Sequence, residues 1–145
     1  MADMKPKTLP AWDALQPGDA LPAIELPPIT RHALALYCGA SGDHNPIHVD
    51  IDFAKSAGMP DVFAHGMLSA AWLARVLTGW VPQAAIRSLD LRFAAITQLG
   101  ERITCTGRVV EKFELDGRRC ARLQLATANQ DGLTKLTGEA LVAWN

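Results

Sequence analysis

Cysteine is scarce in this chain: three among 145 residues, Cys38, Cys105 and Cys120. The number is odd, and no CxxC or Cys/His zinc spacing occurs. That argues against a disulfide scaffold and for a reducing, cytoplasmic setting. An excess charge of either sign is missing too. Fourteen Lys and Arg stand against fifteen Asp and Glu, a formal net charge of −1. The chain therefore lacks the basic face that general nucleic-acid binding needs. Its apolar content of 49% excludes compositional disorder. No run is long enough to span a bilayer. The most apolar stretch, 62–81, is interrupted by His65 and Arg75 and closed by Pro82, whereas a spanning helix needs about 20 largely uncharged apolar residues. The start, MADMKPKTLPAWD, has no apolar signal-peptide core. The expectation is a soluble protein with neither a membrane nor a nucleic-acid partner.

What is present suffices for one domain. A chain of this length buries about 70% of the surface its unfolded form exposes. Residues 1–145 are read as a single domain, with 1–16 as a lead-in tail carrying Pro6 and Pro10. Ala20 to Leu26 reads as a short strand. Thr30 is placed to cap a helix over 31–38 that ends near Gly39 to Gly42. Pro46 biases Asn45 towards extended geometry, so 43–48 is expected as an ordered loop. Asp52 is the expected cap of a further helical turn, stopped by Gly58 and Pro60. From Gly66 to Thr78 only Ser69, Arg75 and Thr78 are polar, and apolar residues cover every side of the helical wheel. Such a helix must be surrounded by other structure. The second half reads as strands: Ile86 to Phe93, Glu101 to Leu115, Arg118 to Ala128 and Lys135 to Trp144. Asp116-Gly117 supplies a two-residue hairpin signal. The pattern predicts an α+β domain, a buried helix wrapped by an antiparallel meander.

Asp43 and His48 are an acid and an imidazole five residues apart in a short, stiffened loop. Together such groups can hold one water, orient it and move its proton. An Asx-turn with a satisfied polar network accounts for the same spacing. Asp43, His44, His48, Asp50 and Asp52 also crowd together as possible metal ligands, but Pro46 makes the helix that would align His44 with His48 improbable, and no metal is expected. His65-Gly66-Met67 opens the apolar helix, whose first N–H groups lack internal partners and sit at the positive end of its dipole. There the Gly66 N–H can hold a developing oxyanion; close packing of Gly66 against a strand is the alternative. Cys38 and Ser41 lie in no nucleophile-elbow pattern, and Cys105 and Cys120 read as small buried hydrophobes. Arginines at 87, 92, 118 and 119 lie on strands and read as a solvated face; no Walker A or GxGxxG loop is present.

The run from Tyr37 to His48, with Asp43, Asn45, Pro46 and His48 meeting an Asp-x-Asn-Pro-x-His core, resembles the signature of the MaoC-like, (R)-specific enoyl-CoA hydratases. Phe53-Ala54, His65-Gly66-Met67-Leu68, Leu91-Arg92-Phe93 with Gly100-Glu101, and Gly138-Glu139-Ala140 extend the resemblance over roughly 15–143. It implies a hot-dog fold, a long central helix wrapped by a curved antiparallel sheet and dimerised edge to edge. It also implies reversible hydration of trans-2-enoyl thioesters to (R)-3-hydroxyacyl thioesters, on CoA or a carrier protein, without a cofactor. Asp43 and His48 then become the catalytic pair, Asn45 supports the loop and with His65 belongs to the substrate-binding residues, and the Gly66 N–H binds the thioester oxygen. Departures are Ala74, where the family often has serine, and Ile96-Thr97 in place of Pro-Val. Bulky Trp72 is placed to shorten an acyl pocket or to fill the core. A hot-dog thioesterase and a non-catalytic acyl-thioester-binding subunit are the competing readings; the first is disfavoured because no Asp or Glu occurs from Gly66 to Thr78.

Overall fold

The computed structural model describes residues 8–144. Its helices are α1 (Arg31–Ser41), α2 (Ile51–Ser56) and α3 (Gly66–Trp80), and its strands β1 (Ile24–Glu25), β2 (Ile86–Phe93), β3 (Thr104–Leu115), β4 (Arg118–Ala128) and β5 (Thr134–Trp144). The strands form one antiparallel sheet in the order β1-β3-β4-β5-β2. Asp116 and Gly117 both take positive φ, +50° and +73°, the backbone that a two-residue hairpin requires. Helix α3 packs on β2, β3 and β4. The result is the wrapped-helix, hot-dog arrangement that the sequence resemblance implies.

Close contact between helix and sheet depends on a glycine. A Cβ on Gly107 of β3 would lie 3.0 Å from Leu125 Cδ2 and 3.1 Å from Val76 Cγ1, so a side chain there would push α3 away. Leu68, Ala70, Leu73, Val76 and Leu77 of α3 join the buried core with Val109, Leu123, Leu125, Leu136 and Val142 of the sheet. Cys105 is part of this core, and burial pushes its thiol up to about 11; such a thiol is chemically inert.

Four expectations need correction. Ala20 to Leu26 is not one strand: only Ile24–Glu25 pairs regularly, with an isolated bridge at Ala20, because Pro22 brings no N–H to a ladder. The cap of α2 is Asp50, whose Oδ1 accepts from the Asp52 and Phe53 N–H groups at 2.9 and 3.1 Å; Asp52 lies inside the first turn. Glu101 lies outside β3, which starts at Thr104. Finally, α3 is not enclosed on all sides. Met67 is 62% exposed, and Ala71, Arg75 and Gly79, at successive one-turn steps from it, are exposed as well. A single five-stranded sheet covers only one side of the helix.

The expected lead-in is docked. Trp12 Nε1 donates to the Cys120 carbonyl at 3.3 Å and the Lys112 ammonium lies 4.1 Å from the Trp12 ring centroid. Trp144 Nε1 donates to the Pro10 carbonyl at 2.8 Å. This segment thus closes the ends of β3, β4 and β5, while residues 1–7 fall outside the described residues.

Candidate active site

The expected loop is held by its own side chains. Helix α1 starts under the Thr30 hydroxyl, which accepts from the Ala33 N–H at 3.1 Å, and ends at Gly42 with φ +75°. The Asp43 N–H then donates to Ser41 Oγ at 3.1 Å and the Asn45 N–H to Asp43 Oδ1 at 3.3 Å. Asn45 Oδ1 accepts from the Ile47 N–H at 3.1 Å, capping a 3-10 turn over Pro46–His48. Asn45 therefore shapes the loop. The turn swings His48 inwards, to 8% exposure, and leaves Asp43 exposed.

His48 Nδ1 lies 2.8 Å from the Phe63 carbonyl oxygen. A carbonyl only accepts, so in the neutral ring the proton resides on Nδ1 and Nε2 carries the free lone pair. In that tautomer Nε2 is the ring atom that can accept a hydrogen bond or a proton. His65 stacks on the His48 ring, centroids 4.0 Å apart and planes at 28°, while Tyr37 meets His65 edge-on at 4.9 Å. His65 is 0% exposed, and neither of its nitrogens has a hydrogen-bond partner among the described residues. Burial, then the neighbouring His48, hold its pKa below the usual histidine range, although the Asp43 backbone and carboxylate act in the opposite direction.

Asp43, His48 and His65 each offer an atom within 4.8 Å of the others. Tetrahedral ligands about 2.0–2.1 Å from zinc stand only about 3.4 Å apart, so the trio as arranged is looser than a closed metal site. The other three members of the predicted crowd are outside this trio: His44 is exposed, Asp50 caps α2 and Asp52 is in its first turn.

Gly66 joins this cluster to a cavity. It is the first residue of α3, is exposed, and follows His65 directly. No side chain caps the helix, and its first internal bonds run from the Leu68 and Ser69 N–H groups to the His65 carbonyl. The Gly66 N–H has no partner among the described residues, which makes it an available donor at the positive helix end. Beside it is a cavity of about 360 Å³ lined by Phe63, Ala64, Gly66, Ser69, Leu136 and the segment 93–97. Asp43 and His48 lie outside that lining, so the acid–base cluster and the cavity are neighbours meeting at Gly66. Trp72 is not in the lining and packs against the core.

Some of the wall was not read from the sequence. Ser69 Oγ donates to Thr97 Oγ1 at 3.4 Å, a long contact between two buried hydroxyls. The Ala64 N–H donates to the Thr97 carbonyl at 3.0 Å, tying segment 93–97 to the residues just before Gly66.

Comparison with known proteins places the chain in a family. Residues 15–130 match the family described as MaoC like domain. A mitochondrial 3-hydroxyacyl-[acyl-carrier-protein] dehydratase from Solanum lycopersicum is 30% identical over 72% of this chain and 63% of its own length. An (R)-specific enoyl-CoA hydratase from Rhodospirillum rubrum is 36% identical over 58% of this chain and 62% of its own. The match thus spans less than two thirds of each of these relatives. Among solved structures, the R-hydratase PhaJ1 from Pseudomonas aeruginosa superposes with a TM-score of 0.78 at 27% identity, over 91% of this chain and 84% of its own. The chain belongs to the MaoC-like domain family.

Proposed function

We propose that the protein is a hydro-lyase that reversibly hydrates trans-2-enoyl thioesters to (R)-3-hydroxyacyl thioesters, the R hand resting on the family alone. The observation that carries the reading is the juxtaposition of His48, its Nδ1 held against the Phe63 carbonyl, the Asp43 side chain and the uncapped Gly66 N–H beside an apolar cavity. In this reading Asp43 and His48 hold one water. Its oxygen bonds to C3 as its proton passes to the pair. The C2–C3 π electrons move towards the thioester, whose oxygen gains negative charge against the Gly66 N–H. C2 then takes a proton from the pair, and the net change is addition of one H–OH. Donors aimed at developing charge are worth more in the transition state than in the ground state. The thioester acidifies C2, so no metal or redox cofactor is needed.

The thioester is carried by CoA or by acyl-carrier protein, both of which appear in the names of relatives. Homodimerisation, or a higher homo-oligomer, fits β2 as the outer strand of the sheet among the described residues and the exposed Phe93 at its end. Three free cysteines fit a cytoplasmic setting, and no described helix is long and apolar enough to cross a membrane. Hot-dog thioesterases usually employ a carboxylate on or near the central helix; α3 itself carries none, which counts against that chemistry.

The test is loss of enoyl-thioester absorbance across a series of chain lengths, with free thiol measured in parallel. Hydration without thiol release is expected. Thiol release with the double bond intact would mean a thioesterase, and inertness towards every thioester would favour a binding subunit.

A further inference from the structure

A lysine in the middle of a buried wall calls for an explanation. Lys135 of β5 is 2% exposed, and burying an ammonium is costly unless it is paired. Its Nζ donates to Glu101 Oε1 at 2.7 Å and to the Ile96 carbonyl at 2.8 Å. Its own carbonyl accepts from the Ala94 and Ala95 N–H groups at 2.9 and 3.2 Å. Glu101 completes the set: Oε2 accepts from the Gln98 N–H at 2.8 Å and Oε1 from Asn129 Nδ2 at 2.9 Å. Asn129 is fixed in turn, its Oδ1 accepting from the N–H groups of Asp131 and Leu133. Burial pushes the Glu101 pKa up, but the bonds from Lys135, Asn129 and Gln98 outweigh it and hold the group ionised.

These contacts converge on one segment. Residues 94–101 contain no regular helix or strand; an isolated bridge between Gln98 and Phe63 and single backbone bonds to Ile29 and Ala64 tie them, but no continuous ladder does. Yet this segment, with Phe93, supplies half of the cavity's lining residues, and its Thr97 carbonyl holds the Ala64 N–H two residues before Gly66. A buried ion pair is often no more stabilising than an apolar pair of similar volume. Stability alone therefore does not account for a charged pair here.

We propose that Lys135 and Glu101 are positioning residues that clamp the 94–101 segment into the wall of the acyl cavity, so that they set the fit of longer acyl groups while standing outside the chemistry. The proposal rests on the hydratase reading for its kinetic consequence and on the hydrogen-bond network for its physical one.

The test uses Lys135→Met and Glu101→Gln in the full chain, at a temperature where circular dichroism reports each variant folded. Amide hydrogen exchange is followed at Ala64, Ala94, Ala95 and Gln98, whose N–H groups the network fixes, and at Leu73 and Leu77 in α3. Hydration kinetics are measured on crotonyl-CoA and on trans-2-octenoyl-CoA. In Lys135→Met the four wall amides should exchange about tenfold faster or more, beyond any change at Leu73 and Leu77, because local opening is decoupled from global unfolding. The octenoyl kcat/KM should fall by about tenfold or more and the crotonyl value by less, changing the ratio between the two. Glu101→Gln, which keeps the shape, should change both readouts in the same direction by a smaller factor. Variants that melt earlier but keep wild-type wall exchange and the wild-type ratio would overturn the proposal and leave the pair purely structural. Should Lys135→Met not fold, Glu101→Gln decides on the same two readouts. Failure of the wild type to hydrate either thioester would contradict the hydratase reading by itself, and the exchange measurement would still decide whether the clamp holds the wall.

Discussion

Adding one methyl group at Gly66 separates the oxyanion role from close packing. A Cβ there would lie 3.1 Å from Phe93 Cε1 and 3.5 Å from Cδ1, against an optimum of about 3.5–4.0 Å for carbon pairs. The ring must retreat by a few tenths of an ångström, and it has room, since Phe93 is 54% exposed. Alanine also favours a helix over glycine by up to about 1 kcal/mol, which offsets part of the crowding. Gly66→Ala should therefore fold, with a Tm within about 5 °C of wild type, a shift that corresponds to roughly 1 kcal/mol or a little more. The methyl keeps the N–H but stands at the cavity mouth, where the thioester oxygen would approach. Disturbing one oxyanion donor costs about 10²-fold or more, or about 2.7 kcal/mol of transition-state stabilisation at 1.36 kcal/mol per tenfold. The assay is kcat/KM for crotonyl-CoA from loss of enoyl absorbance, with melting followed by circular dichroism. A folded Gly66→Ala with wild-type kcat/KM would refute the oxyanion role. Loss of the fold would refute the reasoning about Phe93 and leave close packing as the reason for the glycine.

Two further outcomes follow from the site. Because the folded-state pKa of His65 is lowered, the unfolded chain takes up the proton first as pH falls. Stability is then full above the ordinary histidine pKa of about 6.5 and declines below it. Replacing His65 with Phe should flatten the fall in Tm between about pH 7 and pH 5, and an unchanged slope would contradict the assigned cause. Dialysis against EDTA should leave hydration unchanged; activity lost there and restored by a divalent ion would bring Asp43, His48 and His65 back as metal ligands.

Local signals carried most of the fold. The β2 and β4 limits, the Asp116-Gly117 turn and the start of α3 at Gly66 were legible because strand alternation, turn chemistry and helix-breaking residues act within a few positions. Helix α1 ends within the expected span of Gly39 to Gly42: Gly39 is exposed and unhindered inside the helix, and the stop is the left-handed Gly42. Asp50 and Asp52 are both capping residue types. Only the extended backbone at Asp50 distinguishes the cap, and that depends on the preceding turn. At the site, Asp43, Asn45, His48 and Gly66 were readable from one signature and one helix start. The stacking of His65 on His48, and the tie between Lys135 and Glu101, were not. Those partners are brought together by tertiary folding, and a lysine at the start of a strand reads as solvent-facing until the glutamate 34 residues away is placed beside it.

The central claim is that Asp43 and His48 act as one unit on one water. A double-mutant cycle in kcat, on wild type, Asp43→Asn, His48→Ala and the double variant, tests it most directly. General acid–base groups contribute about 10²–10⁴-fold, and groups that act as a unit are far from additive. Each single variant should fold and lose activity within that range, and the double variant should be little worse than the poorer single one. Wild-type hydration by either single variant, or losses that simply multiply in the double variant, would contradict the account.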